Sequence, residues 1–277
     1  RIKWRWLMTL MRKLFSIAAV SSMVLAAPAQ AGVGDLLVAP TRIILNGSRG
    51  AEIVLSNIGE EVATYRVSVE LRRMTPAGAL EEVPVANDRE KIAQDMIFYA
   101  PRRVTIAPNQ PQTIRIAARA PQGLADGEYR AHILFRAVPK PRPVAPKQEV
   151  KGIGFELIPV YGVTIPVVVR LGNLQAKVGI ANVSLTKADG KPAVALDLVR
   201  GGDRSVYGDV RVFKAGIKDP IAQQRGVAVY TEIGQRHLVI PVNPDLAASA
   251  NGQVTVEFVE VSDSGSVSMA STQAVLR

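Results

Sequence analysis

The sequence contains no cysteine and only two histidines among its 277 residues. The absence of cysteine excludes thiol catalysis, disulfide frameworks and thiolate metal sites. His132 and His237 alone cannot build a three-histidine zinc site, and the sequence has no H-E-x-x-H or similarly paired metal spacing. His132 lies within a predicted strand, where we expect a surface residue or a hydrogen-bonded core residue rather than a catalytic base. The sequence therefore predicts a protein that is not an enzyme and that needs no metal or cofactor.

Aromatic residues are also scarce, at 5% of the chain, and they do not interleave with a basic patch as in nucleic-acid-binding proteins. The formal net charge is +10. Five of the 34 basic residues and none of the 24 acidic residues lie within residues 1–31. The remaining chain carries 29 basic and 24 acidic residues, and its net charge of +5 is typical of a solvated surface. We therefore expect no nucleic-acid partner.

The first 31 residues have the pattern of a secretory signal peptide. A basic head that includes Arg12 and Lys13 precedes the apolar run Leu14–Ala27, and Ala29-Gln30-Ala31 forms an A-x-A cleavage site. The apolar run is too short to span a membrane. The pattern predicts cleavage after Ala31 and export of the remaining chain.

Short alternating segments between turn signals follow, with no long helical period among them. Val62–Arg72 alternates between apolar and polar residues as a half-buried antiparallel strand does. About seven such strands are predicted between Leu36 and Arg170, with one helical turn near Glu90–Asp95, and the pattern restarts after Leu171-Gly172-Asn173. This spacing predicts an all-β protein with two β-sandwich domains, at residues 32–171 and 172–277.

The segment Ile153–Arg170 has the clearest apolar alternation and follows a basic loop that is interrupted by prolines. Its odd-numbered positions are apolar: Ile153, Phe155, Leu157, Tyr161, Val163 and Ile165. An alternating row of this kind fits two structures. It could complete the core of the first sandwich, or it could be a strand that the protein presents to a partner.

Arg42 interrupts an otherwise apolar segment, VAPTRIILNG, in the first predicted strand, Leu36–Asn46. One interpretation is an arginine that protects an edge strand from aggregation. The other is an anion anchor, because the guanidinium fork matches the geometry of a carboxylate. The residue types alone leave both interpretations open.

Four sequence features follow one another in an order that is found in a known family. They are Thr41-Arg42 with Gly47, an asparagine turn at Asn57 that leads to Tyr65, a proline turn at Pro108 before Gln112–Ile116, and a spaced set formed by Asp126, Glu128, Arg136 and Pro139. With these features and its signal peptide, the chain resembles the periplasmic pilus-assembly chaperones, the PapD-like family, over about residues 33–170. The second domain is similar in class and placement only.

The resemblance implies two immunoglobulin-like sandwiches in tandem and a periplasmic location. It implies a chaperone that donates its closing strand, here Ile153–Arg170, to a pilin-like subunit, with Ile153, Phe155 and Leu157 filling the subunit's groove; strand addition of this kind is a known mode of recognition. The other partners implied are an outer-membrane usher and, for the free protein, a second copy that caps the strand.

The resemblance also implies a two-point anchor for the subunit's terminal carboxylate, with Arg42 as its first residue. The family's second residue, a lysine, would fall near Thr164–Pro166, where this sequence has no basic residue, and Arg170 is the nearest one. Gly127 stands where the family has an arginine. The alternative function is a structural or adhesive exported protein with the same sandwiches but no client.

Overall fold

The structure is a computed structural model that describes residues 35–47, 49–140, 160–262 and 264–277. Strands dominate these ranges and form two immunoglobulin-like β-sandwiches in tandem, so the predicted fold class is confirmed. No helix within them has the length and apolar character needed to cross a membrane. The predicted signal peptide and the predicted donor residues Ile153, Phe155 and Leu157 lie outside the described residues. The domain division at residue 172 stays a prediction.

The first sandwich consists of two facing sheets, with strand orders β1-β3-β9-β7 and β2-β11-β10-β4-β8. Its strands are β1 (Leu36–Ala39), β2 (Ile43–Asn46), β3 (Ala51–Asn57), β4 (Ala63–Glu70), β7 (Ile97–Ala100), β8 (Arg103–Ile106), β9 (Pro111–Ala118), β10 (Gly127–Ala137) and β11 (Gly162–Leu171). A small hairpin of β5 (Arg72–Met74) and β6 (Leu80–Glu82) lies beside them.

Period-two alternation places one side of each strand in the core of this sandwich. On β4, Ala63, Tyr65 and Val67 are buried, whereas Arg66 between them is exposed. On β11, Ile165 is buried and Val163 packs partly against the same core, so this part of the alternating row completes the first sandwich. Full burial of side chains of this size stabilises the fold by about 1.5–3 kcal/mol each.

The predicted helical turn near Glu90–Asp95 is a full helix, α1 (Asp88–Asp95). Asn87 caps it, because its side chain accepts a hydrogen bond from the Glu90 amide while the Glu90 side chain accepts one from the Asn87 amide. This reciprocal pair satisfies two amides that a helix start leaves free.

The opening segment does not form the single strand from Leu36 to Asn46 that its apolar residues predict. β1 pairs antiparallel with β3 in one sheet, and β2 pairs parallel with β11 in the other. Pro40 lies in the connection, where a residue without an amide hydrogen interrupts the hydrogen-bond ladder.

This change of sheet leaves part of β11 uncovered. β2 pairs only with Val167–Arg170, whereas Gly162–Pro166 pairs with β10 on one side and with no described strand on the other. An unpaired strand edge offers free amide and carbonyl groups to another strand.

The second sandwich has sheets ordered β12-β13-β16 and β15-β14-β17-β18 around a separate core that includes Leu196, Val212 and Phe258. Its strands are β12 (Ala176–Ala188), β13 (Lys191–Gly202), β14 (Val206–Lys214), β15 (Ala222–Val229), β16 (Gln235–Pro241), β17 (Gly252–Ser262) and β18 (Gly265–Leu276). A 3-10 helix at Pro244–Ser249 joins β16 to β17.

The β5–β6 hairpin connects the two sandwiches. The Pro76 carbonyl accepts a 2.8 Å hydrogen bond from the His237 amide of β16. Met74 is buried against Ala228 and Tyr230 of the second sandwich. The hairpin therefore contributes both a main-chain bond and apolar contact to the interface between the sandwiches.

Gly208 of β14 tests the packing of the second sandwich. A Cβ atom there would overlap the Val259 carbonyl oxygen on the neighbouring strand β17, and a main-chain atom cannot move aside cheaply. We expect Gly208→Ala to lower the free energy of unfolding by about 1–3 kcal/mol in urea denaturation followed by circular dichroism. Gly201→Ala is the control, because no described heavy atom lies within 4 Å of the added Cβ atom; equal midpoints for the two variants would contradict the packing.

Candidate functional site

Arg42 lies in the connection between β1 and β2 and faces the second sandwich. Its Cζ atom is 4.9 Å from the ring centroid of Tyr207 and 5.8 Å from that of Tyr230. Its Nη2 donates a 3.3 Å hydrogen bond to Ser205 Oγ. This contact with three residues of the second sandwich differs from the solvent-exposed position that edge protection requires.

The Arg42 guanidinium is not fully paired. Its Nε and Nη1 atoms are buried and have no hydrogen-bond partner among the described residues. Burial lowers the pKa of Arg42, while the nearby Tyr230 and Glu128 raise it. Arginine nevertheless stays protonated in proteins, so the site holds a buried cation with two free donors. Such a group is costly unless an anion joins it.

Arg170, near the end of β11, is committed to partners within the protein. Its Nε donates a 3.0 Å hydrogen bond to Glu128 Oε2, and its Nη2 donates to the Ser205 carbonyl at 3.1 Å. Glu128 Oε2 also accepts from the Ser205 amide at 3.0 Å. Arg42 and Arg170 therefore meet at Ser205, but Arg170 balances the buried Glu128 carboxylate, whereas Arg42 has free donors.

Glu128, Arg130 and His132 lie on the side of β10 that faces away from the core of the first sandwich. Glu128, Arg130 and His132 alternate with the buried Tyr129 and the next core residues. Ser205 and Tyr230 of the second sandwich contact Glu128 and Arg130, and Glu128 and His132 are almost completely buried. The polar alternation predicts this outer side but gives no sign that a second sandwich covers it.

Arg130 forms a second contact between the sandwiches. Its Cζ atom is 3.6 Å from the Tyr230 ring centroid, and its guanidinium pairs with Glu232. Tyr230 thus interacts with Arg130 as well as Arg42. Cation–π contacts that are shielded from water contribute about 2 kcal/mol.

The closing strand has no cation at the position of the family's lysine. Thr164 Oγ1 donates a 2.7 Å hydrogen bond to Glu70 Oε1, and Pro166 lies opposite His132. Gly127 is the other departure from the family pattern, and its lack of a side chain leaves room for Arg89 of α1. Arg89 Nη2 donates a 2.8 Å hydrogen bond to the Glu128 carbonyl.

A cleft of about 700 Å³ lies beside Arg42 and Arg170. Arg204 also lines it and forms a bidentate pair with Glu260, with N–O distances of 2.6 and 3.0 Å. The apolar part of its lining includes Ile44, Tyr207 and Val261. A ligand that combines a carboxylate with an apolar side chain matches this lining. In the described ranges no three acidic or histidine side chains come together to hold a metal ion.

No protein-family model and no curated protein matches the chain. Solved structures match most of its length. The E. coli chaperone DraB is 13% identical over 89% of this chain and 98% of its own, with a TM-score of 0.47. The Pseudomonas aeruginosa CupB2 chaperone is 12% identical over 87% and 100%, with a TM-score of 0.46.

A third match is a complex of the Salmonella enterica SafA pilin with the SafB chaperone, at 16% identity over 88% of this chain and 98% of that chain, with a TM-score of 0.44. The chain is thus similar over most of its length to pilus chaperones, which its sequence motifs also resemble. At TM-scores of 0.44–0.47, this likeness assigns no function to the chain.

Removal of the Glu128 charge tests the buried contact between the sandwiches. In Glu128→Gln, Arg170 loses its counter-charge. The Arg170 side chain is only 17% exposed, so water cannot replace that counter-charge. We expect a loss of about 3–5 kcal/mol in the free energy of unfolding, because the remaining charge is buried. Glu52→Gln removes a charge whose side chain is 61% exposed and pairs with Arg115; it should cost less than about 1 kcal/mol. Similar losses in both variants would refute the buried link.

The prediction that His132 is a surface residue or a hydrogen-bonded core residue is wrong. His132 is fully buried, and neither ring nitrogen has a hydrogen-bond partner among the described residues. Burial, followed by the charges of Arg130 and Arg72, lowers its pKa from 6.5 to about 3. The imidazole is therefore neutral in the folded protein at any pH well above 3.

This depressed pKa makes stability depend on pH. Only the unfolded chain binds the proton between about pH 6.5 and pH 3, so stability is unaffected above this window and falls as the pH decreases through it, by up to about 1.4 kcal/mol per pH unit. In urea unfolding across this range, His132→Leu should reduce the acid slope. His237→Gln, at a side chain that is 56% exposed, should retain it. An unchanged slope in His132→Leu would show that His132 is not its source.

Proposed function

We propose that the chain is a periplasmic chaperone that binds pilin-like subunits of surface fibres by adding a strand to them. The main support is the unpaired edge of β11 at Gly162–Pro166, within the segment Ile153–Arg170 that carries the apolar row. Main-chain groups on such an edge supply affinity, and alternate side chains supply fit. The signal peptide pattern supports the location.

The core contacts of β11 indicate that different parts of the segment Ile153–Arg170 have different roles. Ile165 and Val163 belong to the first sandwich, so they hold the strand in place. The apolar residues before them, Ile153, Phe155 and Leu157, are the side chains that we propose enter the subunit's groove.

Arg42 supports a second contact with the subunit. Its guanidinium lines the adjacent cleft and pairs with no carboxylate among the described residues, so it suits a chain-terminal carboxylate that follows an apolar residue. We propose Arg42 as the anchor of this carboxylate. Arg170 acts indirectly, because its pair with Glu128 fixes Ser205, to which Arg42 donates.

The remaining partners belong to the same proposal. The SafB chaperone is seen in complex with the SafA pilin, and we propose a client of the same class for this chain from its sequence motifs. We propose that an outer-membrane usher receives the loaded chaperone, and that the free protein covers its strand edge with a second copy. Neither activity needs a cofactor.

Co-expression with a pilin-like subunit tests strand donation. The wild-type pair should purify from the periplasm as a heterodimer. Phe155→Asp combined with Leu157→Asp should abolish it, because two charges cannot enter an apolar groove. Val85→Asp is the control, since Val85 is 77% exposed. A heterodimer that survives the double substitution would contradict donation, and a polymer at the cell surface would favour the structural alternative.

The anchor has its own test, which measures the affinity between the purified chaperone and a purified subunit. Arg42→Ala should weaken the heterodimer about tenfold or more, because it removes a charged partner of a carboxylate. A subunit with an amidated C-terminus should bind the wild-type and Arg42→Ala chaperones equally. If Arg42→Ala still distinguishes the amidated subunit from the free acid, another residue binds the terminus.

A further inference from the structure

Three arginines lie side by side on the outer face of the first sandwich. Arg103 of β8 is directly opposite Arg66 of β4, and Arg66 is directly opposite Arg136 of β10. All three are exposed, and each lies next to a buried core residue on its own strand. Their side chains therefore form one row across three neighbouring strands, called the arginine row below.

The arginine row is unfavourable for the isolated sheet. Residues directly opposite each other in an antiparallel pair have Cβ atoms about 4.5–5.5 Å apart, and like charges at this distance destabilise the pairing. Within the described ranges, none of the three guanidinium groups forms an ion pair or a side-chain hydrogen bond. Two consecutive like-charge pairs thus reduce stability without a compensating contact among the described residues.

Acidic side chains near the row are engaged elsewhere. Glu61, before β4, pairs with Lys140 at 2.7 Å, and Glu70, at the end of β4, pairs with Arg72 at 2.6 Å. The row therefore presents three charges across about 10 Å, two strand spacings, and no acidic side chain of the described ranges pairs with them. On the β11 side it ends at Gly162, which is opposite Arg136 and has no side chain to shield it.

We infer that the arginine row is a docking site for an acidic segment of a partner protein, distinct from the donated strand whose side chains are proposed to fill the subunit's groove. Arginine rather than lysine favours carboxylates, since the guanidinium fork binds them in a bidentate manner. A partner segment with two or three neighbouring carboxylates would neutralise the row and remove its repulsion.

A protein segment fits this face better than an anionic lipid surface does. The row is one residue wide, and the positions beside it are neutral, such as Thr64 and Ser68. The Glu70 carboxylate lies at the end of β4, and the Glu61 carboxylate lies just before its start. A broad anionic surface would bring its charges against these carboxylates, whereas a narrow acidic segment can avoid them.

Fluorescence anisotropy with a labelled hexaglutamate peptide tests this inference on the exported chain at low ionic strength. Replacing all three residues (Arg66→Gln, Arg103→Gln, Arg136→Gln) should weaken binding about tenfold or more. The control replaces three exposed arginines outside the row, at Arg115, Arg119 and Arg225, and should change affinity less than about twofold. The net charges of the two variants are equal.

Equal loss of affinity in both variants would show a general charge effect and overturn the inference. Binding of the wild-type chain to equimolar phosphatidylglycerol–phosphatidylcholine vesicles, without binding to the peptide, would assign the row to a lipid surface instead. The row variant should also unfold at an equal or higher urea concentration than the wild type, because the repulsion is removed. Its heterodimer with the pilin-like subunit should persist, so failure of this inference is distinguishable from failure of the proposed function.

Discussion

The arrangement of the site depends on the hydrogen bonds that the buried Glu128 carboxylate accepts from Arg170 and Ser205. Glu128 lies on a strand of the first sandwich, yet one of its oxygens accepts from both Arg170 of the same sandwich and the Ser205 amide of the second. Removing a partner from a buried charge is strongly destabilising, so this contact favours the observed position of Ser205. Arg42 then donates to Ser205 and stacks against Tyr207. The position of the free Arg42 donors thus follows from the way Glu128 is neutralised.

The change of sheet in the opening segment has an equally direct consequence. Because β1 and β2 belong to different sheets, β2 covers only the end of β11 and leaves Gly162–Pro166 open. Arg42 lies in the same connection. One local feature of the chain therefore creates both the open strand edge and the buried cation, and the proposed binding of a subunit uses the two together.

The sequence predicts what depends on local pattern. The alternation of β4, the helix near Glu90 and the apolar side of β11 follow from periods of two and 3.6 residues. Arg42 stands out because a charge in an apolar run is unusual. The break at Pro40 was not predicted, because the apolar pattern continues beyond it. Local pattern also cannot predict contacts between distant parts of the chain, such as the one between Arg42 and Ser205, which are 163 residues apart. It likewise misses the burial of His132, because alternation assigns that side of β10 to solvent.

Hydrogen exchange in the presence of a pilin-like subunit tests the central claim most directly. The account predicts that the amides of Gly162–Thr164 that do not bond to β10 gain protection when the subunit binds, because its strand pairs with the open edge of β11. The amides of Val167–Val169 lie between β2 and β10 and should be protected with or without the subunit. A stable complex that leaves exchange at Gly162–Thr164 unchanged would contradict strand addition at this edge.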